Sequence, residues 1–177
     1  MIVTVEELKI YAGIDTSDDD AGLELILKGV IGWAESICDN AMEQKEFIEY
    51  FDGESRALFM KNTLNISDVV VEWFSSSGWE ILDPDTKLRI FVEEGCVILR
   101  EAVFGELNYK VTYKAGYNTA VPSDLKLIVL KMASKVWNKR KSDGIKDEKL
   151  GDAQVIWENF LTDDILGILQ KYRKFNI

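Results

Sequence analysis

The sequence predicts an α+β fold: helices from the N- and C-terminal ends, about four in all, pack together, and a small antiparallel β-sheet is inserted between them. Two patterns lead there. Apolar residues recur at three- and four-residue spacing in residues 1–44 and 119–177, whereas residues 45–118 break into short β-rich runs between turn signals. At 177 residues the chain reads as a single domain over 1–177, long enough to bury about 70% of its extended surface.

Each element has a local reason. Thr4-Val5-Glu6-Glu7 is a capping box that opens a short helix, and Gly13 ends it. Ser17 is the expected cap of a second helix, with Asp18, Asp19 and Asp20 in its first turn, where the helix dipole favours negative charge. Leu23, Ile26, Leu27, Val30, Ala34, Ile37 and Ala41 carry that helix to about residue 40. Gly29 and Gly32 inside it each cost about 1 kcal/mol relative to Ala, which points to close approach of a neighbouring helix.

The central segments are Phe47–Phe51, Asp68–Phe74, Trp79–Leu82, Lys87–Val92, Cys96–Arg100 and Tyr109–Lys114. Asp52-Gly53, Ser75–Gly78, Asp83-Pro84-Asp85 and Glu94-Gly95 supply the turns between them. The aromatics Phe47, Phe51, Trp73, Phe74, Trp79, Phe91, Tyr109 and Tyr113 are expected to provide most of the sheet's packing. Pro122-Ser123 restarts helix, with Leu125, Ile128, Val129, Met132, Ala133, Val136 and Trp137 on its apolar face and Lys131, Lys135 and Lys139 in a basic stripe beside it. Ser142-Asp143-Gly144 is its expected stop, and a short strand or arm is expected around Asp152–Trp157. Thr162, Asp163 and Asp164 open a last helix whose far end bears Lys171, Arg173 and Lys174.

Charge is polarised along the chain. The net charge is −10, yet residues 1–54 carry 14 acidic and 3 basic side chains while residues 123–150 carry 8 basic and 4 acidic. The total disfavours an ordinary basic duplex-DNA binder or a protein of anionic membrane surfaces. Complementary ends suit head-to-tail contacts between copies, which close into a ring when the rotation permits. The solvated-face reading of the lysine stripe stands beside this one.

Little in the sequence points to catalysis. Histidine is absent, which removes Ser-His-Asp and Cys-His chemistry and the commonest zinc sites. Cys38 and Cys96 form no CxxC and read as reduced, buried thiols. No glycine-rich phosphate loop or GxSxG elbow occurs. The cluster Asp15, Asp18, Asp19, Asp20 lacks the central glycine and terminal Glu of a calcium loop, so helix capping explains it better. Glu6/Glu7 and Glu93/Glu94 are adjacent pairs whose side chains point apart. No cofactor or metal is expected. The N-terminus has no basic region and no apolar run approaches eighteen residues, so neither a signal peptide nor a membrane span is expected.

Several stretches together resemble the head–tail connector (adaptor) family of long-tailed bacteriophages and prophages. They are Val3–Lys9 followed by Ile14–Leu23, Tyr113–Tyr117 followed by Val121–Lys126, Gly144–Asp152, and Ile165–Arg173. The β-rich stretch 45–112 is longer than in the compact members of that family. The resemblance implies a non-enzymatic virion protein at the head–tail junction, passing through the host cytoplasm during assembly. It implies a homo-oligomeric ring, typically dodecameric, that binds the portal protein and offers a docking site to the next neck protein. DNA would pass through its channel without specific binding.

The family's use of its C-terminal segment would assign Tyr172, Arg173, Lys174 and Phe175 to the portal contact. The expected subunit interface sets Lys131, Lys135 and Lys139 against Asp18, Asp19, Asp20 and Glu24, or places these acids and Glu35 along the channel. Two other classes compete. An acidic DNA mimic fits the first 54 residues but not the basic third helix, and a small carboxylate enzyme would rest on Glu93 and Glu94.

Overall fold

The structure, a computed structural model, describes residues 2–140 and 162–173. They form two compact units, one from the described residues of 1–38 and 119–173, the other from those of 39–118.

The first unit is helical: α1 (Val5–Ala12), α2 (Asp20–Cys38), α3 (Ser123–Lys139) and α4 (Asp163–Leu169), with a 3₁₀ turn over Gln170–Tyr172. The capping box at Thr4 is complete. The Glu7 N–H donates to Thr4 Oγ1 at 3.1 Å and the Thr4 N–H to Glu7 Oε2 at 2.9 Å, and Gly13 ends α1 in the left-handed region at φ 66°. The start of α2 differs from expectation. Residues 17–19 form a turn, closed by the Asp20 N–H on the Ser17 carbonyl at 3.3 Å, so Asp18 and Asp19 precede the helix rather than filling its first turn.

Leu23, Leu27, Val30, Ile31, Ala34 and Cys38 of α2 are buried, as are Leu125, Ile128, Val129, Met132, Ala133 and Trp137 of α3. Leu8, Ile165 and Leu169 complete this core, each large aliphatic side chain contributing about 1.5–3 kcal/mol. Among the described residues no helix approaches Gly29 or Gly32. A Cβ at either meets nothing within 4 Å, whereas one at Gly22 would lie 3.9 Å from Trp137 Cζ3. The contact is therefore about two turns nearer the start of α2 than Gly29 suggested. The expected stop at 142–144 and the strand or arm around 152–157 lie outside the described residues.

The second unit holds seven strands: β1 (Lys45–Phe51), β2 (Ala57–Phe59), β3 (Ser67–Ser75), β4 (Gly78–Ile81), β5 (Leu88–Phe91), β6 (Cys96–Leu99) and β7 (Tyr109–Ala115). They make two antiparallel sheets, ordered β1-β7-β3-β4 and β2-β6-β5. Strand β2 was missed by the sequence analysis because three residues are too few to show a period.

Along β7 burial alternates strictly, with Tyr109, Val111, Tyr113 and Ala115 inward. They pack with Leu58, Met60, Val71, Leu88, Val97 and Leu99, and with the partly buried Phe47, Phe51 and Trp73. The core is thus more aliphatic than expected. Phe74, Trp79 and Phe91 point away from it and are 55%, 38% and 38% exposed, because they sit on the opposite faces of their pleats.

A polar lattice ties loop 60–65 to the four-stranded sheet. The Tyr113 hydroxyl donates to Glu49 Oε1 at 2.5 Å and accepts from the Asn62 N–H at 3.1 Å. Burial first, and then the bond to Glu49, push the Tyr113 hydroxyl well above its ordinary pKa. Asn62 Oδ1 in turn accepts from the Ala41 N–H at 2.9 Å. The unit is closed where Tyr117 meets Met42–Gln44: the Tyr117 N–H donates to the Met42 carbonyl at 2.7 Å and its carbonyl accepts from the Gln44 N–H at 3.1 Å. Gly116 makes this possible, with φ +99° and a position where a Cβ would lie 2.3 Å from the Glu43 oxygen.

Replacing Tyr113 with Phe keeps the packing but leaves the Asn62 N–H buried without its acceptor. The expected loss is about 1–3 kcal/mol, read as a lower urea midpoint with an unchanged slope.

Candidate interaction surfaces

The basic face of α3 is largely engaged within its own unit. Lys131 forms an ion pair with Asp164 of α4, Lys126 pairs with Glu7 of α1 at 2.8 Å, and Arg140 with Asp19 at 3.5 Å. Of the expected acidic partners, Asp20 is held by Lys9 at 2.9 Å and Glu24 by Lys28, one turn on, at 2.7 Å. Asp18 lies exposed in the turn before α2, and Lys135 and Lys139 are half-buried along α3. The structure therefore brings Lys131 to Asp164, and it does not bring it to Asp18, Asp19, Asp20 or Glu24 within one chain.

Two of these pairs lower the pKa of their carboxylates. Asp164 is held down to about 2, first by Lys131. Glu7 is lowered chiefly by its bond from Lys126 and then by the Thr4 N–H.

The C-terminal candidates divide. The Tyr172 hydroxyl donates to Asp124 Oδ1 at 2.5 Å, the main reason the Asp124 carboxyl lies below its usual range, and Lys171 stands 3.6 Å from Asp124 Oδ2. Tyr172 is thus tied to the first turn of α3. Arg173 is exposed just beyond it, and Lys174 and Phe175 lie outside the described residues. The anchoring role of Asp124 was not legible in the sequence, since a carboxylate in the first turn of a helix already has a dipole explanation.

A second surface went unnoticed in the sequence. On the outer face of the four-stranded sheet Ile48, Tyr50, Val70, Phe74, Trp79 and Ile81 are all at least 38% exposed. Phe74 and Trp79 meet edge-on at 5.2 Å, and Lys110 lies 5.2 Å from the Trp79 ring while pairing with Glu72 at 2.5 Å. The available signal was β1 itself, where Ile48 and Tyr50 alternate with Phe47 and Phe51, leaving apolar residues on both faces.

The sites considered for chemistry are quiet. The Cys38 Sγ donates to the Leu169 carbonyl at 3.2 Å, and burial raises its pKa to about 11. Cys96 is also buried and raised. Both are therefore protonated thiols at neutral pH. Glu93 and Glu94 are exposed in the turn between β5 and β6. Among the described residues no three acidic, Cys or His side chains converge to hold a metal ion.

The family model described as "Head completion protein" matches residues 1–175. No curated protein matches the chain. Among solved structures, the chain is similar to one in the neck of an empty gene transfer agent particle computed with C6 symmetry, at 14% identity and TM-score 0.69, covering 98% of this chain and 90% of that one. A chain in the neck of the native particle computed with C12 symmetry matches at 13% identity and TM-score 0.66, covering 98% and 89%. A chain of the native gene transfer agent virion matches at 14% and 0.68, covering 98% and 90%.

Glu7, Asp124 and Asp164 are depressed in the folded state, so their contribution to stability is complete above their unfolded values and lost as pH falls through the folded ones. The helical unit is therefore expected to keep its acid-dependent stability above pH about 4.5 and lose it towards pH 2. Thermal unfolding across that range checks this. Asp164→Asn should flatten its lower end, and high salt should shrink the effect because the pair is exposed.

Proposed function

The chain belongs to the head completion protein family, a structural part of the head–tail connection, and we propose that there it forms a homo-oligomeric ring beneath the portal protein. In this reading DNA passes through the ring's channel and the next neck protein docks below it. The match over residues 1–175 carries the proposal. The symmetric necks that hold chains of the same fold support it, as does the polarised charge of the chain.

The role needs no catalytic residue and no cofactor. It needs surfaces that join copies and a lumen that does not hold DNA, because captured phosphates would hold the DNA by salt-dependent contacts. We assign Lys135 and Lys139, with Lys131 at the start of the stripe, to a contact with the acidic set Asp18, Asp19, Asp20 and Glu24 of a neighbour. Lys131 would bring Asp164 with it.

The portal contact falls to Tyr172, Arg173, Lys174 and Phe175. The bond from Tyr172 to Asp124 fixes the root of that segment, so that Arg173 and the residues after it leave from a defined point. Assembly takes place in the host cytoplasm, and the finished ring sits in the virion neck.

Light scattering over a concentration and salt series, with negative-stain images, tests the ring. Annular particles, alone or on the portal protein, are expected; a chain that stays monomeric in both settings overturns the reading. Lys135→Glu places like charge in the proposed contact, which costs several kcal/mol, and should abolish rings. On a merely solvated face it would change stability by less than about 0.5 kcal/mol and leave assembly intact. Arg173→Ala with Phe175→Ala should lower portal capture at least about tenfold, equivalent to about 1.4 kcal/mol, with ring formation unchanged.

A further inference from the structure

The three-stranded sheet gathers positive charge that nothing above uses. Of five arginines in the chain, Arg56, Arg89 and Arg100 line one open cleft of about 290 Å³ with Ile98 and Leu99 between them. They come from three places in the sheet. Arg56 precedes β2, Arg89 lies in β5 opposite Ile98, and Arg100 follows β6. Two are positioned by carbonyls rather than by acids: Arg56 Nε donates to the Leu99 oxygen at 3.0 Å and Arg100 Nη2 to the Asp85 oxygen at 2.9 Å.

These bonds fix the Arg56 and Arg100 guanidiniums and leave most of their donors unspent. Among the described residues none of the three is ion-paired, in contrast to Arg140, which holds Asp19. Asp83, the acid that feels the charge of Arg100, is already occupied by the Asp85 N–H and the Thr86 hydroxyl. Fixed guanidinium forks around an apolar floor suit oxyanions taken two oxygens at a time.

We propose that this cleft receives Asp15 and Asp18 of a second copy of the chain, which takes Asp18 out of the set facing the lysine stripe and leaves Asp19, Asp20 and Glu24 to it. The choice follows from charge and exposure. Asp15 and Asp18 are exposed in the short link between α1 and α2 and carry no ion pair among the described residues, while the adjoining Asp19 and Asp20 are taken by Arg140 and Lys9. Two carboxylates three residues apart match a cleft with three forks. A nucleic-acid strand is the less favoured occupant, because three arginines in one confined cleft form no track along a phosphate backbone. The inference rests on the ring reading: the acidic link of one copy in the arginine cleft of the next is a heterologous contact, the kind that closes into a ring.

The test titrates the full-length chain with a synthetic peptide of residues 13–22 and, separately, with a single-stranded oligonucleotide of similar charge at the same ionic strength. Peptide binding at millimolar concentration or below is expected. Arg89→Glu should weaken it at least about tenfold, and a peptide carrying Asp15→Lys and Asp18→Lys should bind Arg89→Glu in preference to the native chain. A peptide that does not bind overturns the proposal even where rings form. So does binding that Arg89→Glu leaves unchanged, or an oligonucleotide that displaces the peptide. Peptide bound as expected by a chain that makes no ring, alone or on the portal, overturns the ring reading instead and leaves the cleft assignment standing.

Discussion

Strand β7 has to satisfy two neighbours and a core at once, and the β unit is arranged around that demand. Its backbone is hydrogen-bonded to β1 on one side and β3 on the other, while its inward residues supply the centre of the core. Two of those residues are tyrosines, and a buried phenol needs a partner. Tyr109 accepts from the Val103 N–H at 2.7 Å and Tyr113 serves Glu49 and Asn62. The loops around residues 62 and 103 are therefore positioned by side chains from the sheet's central strand, and a one-residue slip of β7 would lose both at once.

The helical unit solves a different problem. Its acidic N-terminal third would repel itself if left alone, and α3 supplies cations that counter this. Lys126 reaches α1, Lys131 reaches α4 and Arg140 reaches the turn before α2. Each exposed pair contributes little by itself. Together they offset part of that repulsion within the unit, and none of them involves the sheet arginines, which carry no ion pair among the described residues.

How much of this was legible in the sequence follows from the range of each signal. The capping box at Thr4, the stop at Gly13, the apolar face of α3 and six of the seven strands are local patterns, and they were readable. Three things were not, each because it depends on a partner distant in sequence. Gly29 and Gly32 suggest a close neighbour, but glycine does not say which face it is on, and no described residue comes near either. Phe74, Trp79 and Phe91 look like core residues until the register assigns each to a side of its sheet. The arginines at 56, 89 and 100 are unremarkable singly and converge only once β2, β6 and β5 pair. The family resemblance reached further than these physical signals because it combined spacing at both ends of the chain.

The closure at Gly116 and Tyr117 bears on how the two long helices come together. Helices α2 and α3 pack on each other, yet some eighty residues separate them, and Gly29 and Gly32 leave α2 with weak helical preference of its own. Bringing its ends together across so long a floppy loop carries an entropic penalty that grows with loop length. Once Tyr117 is bonded to Met42 and Gln44, that loop is short-circuited to a handful of residues, which removes about 2 kcal/mol of the penalty. The strands between the helices thus act as a clasp: with Tyr117 bonded to Met42 and Gln44, the chain leaving α2 and the chain entering α3 are held close, and the two helices pair across a short span instead of a long one.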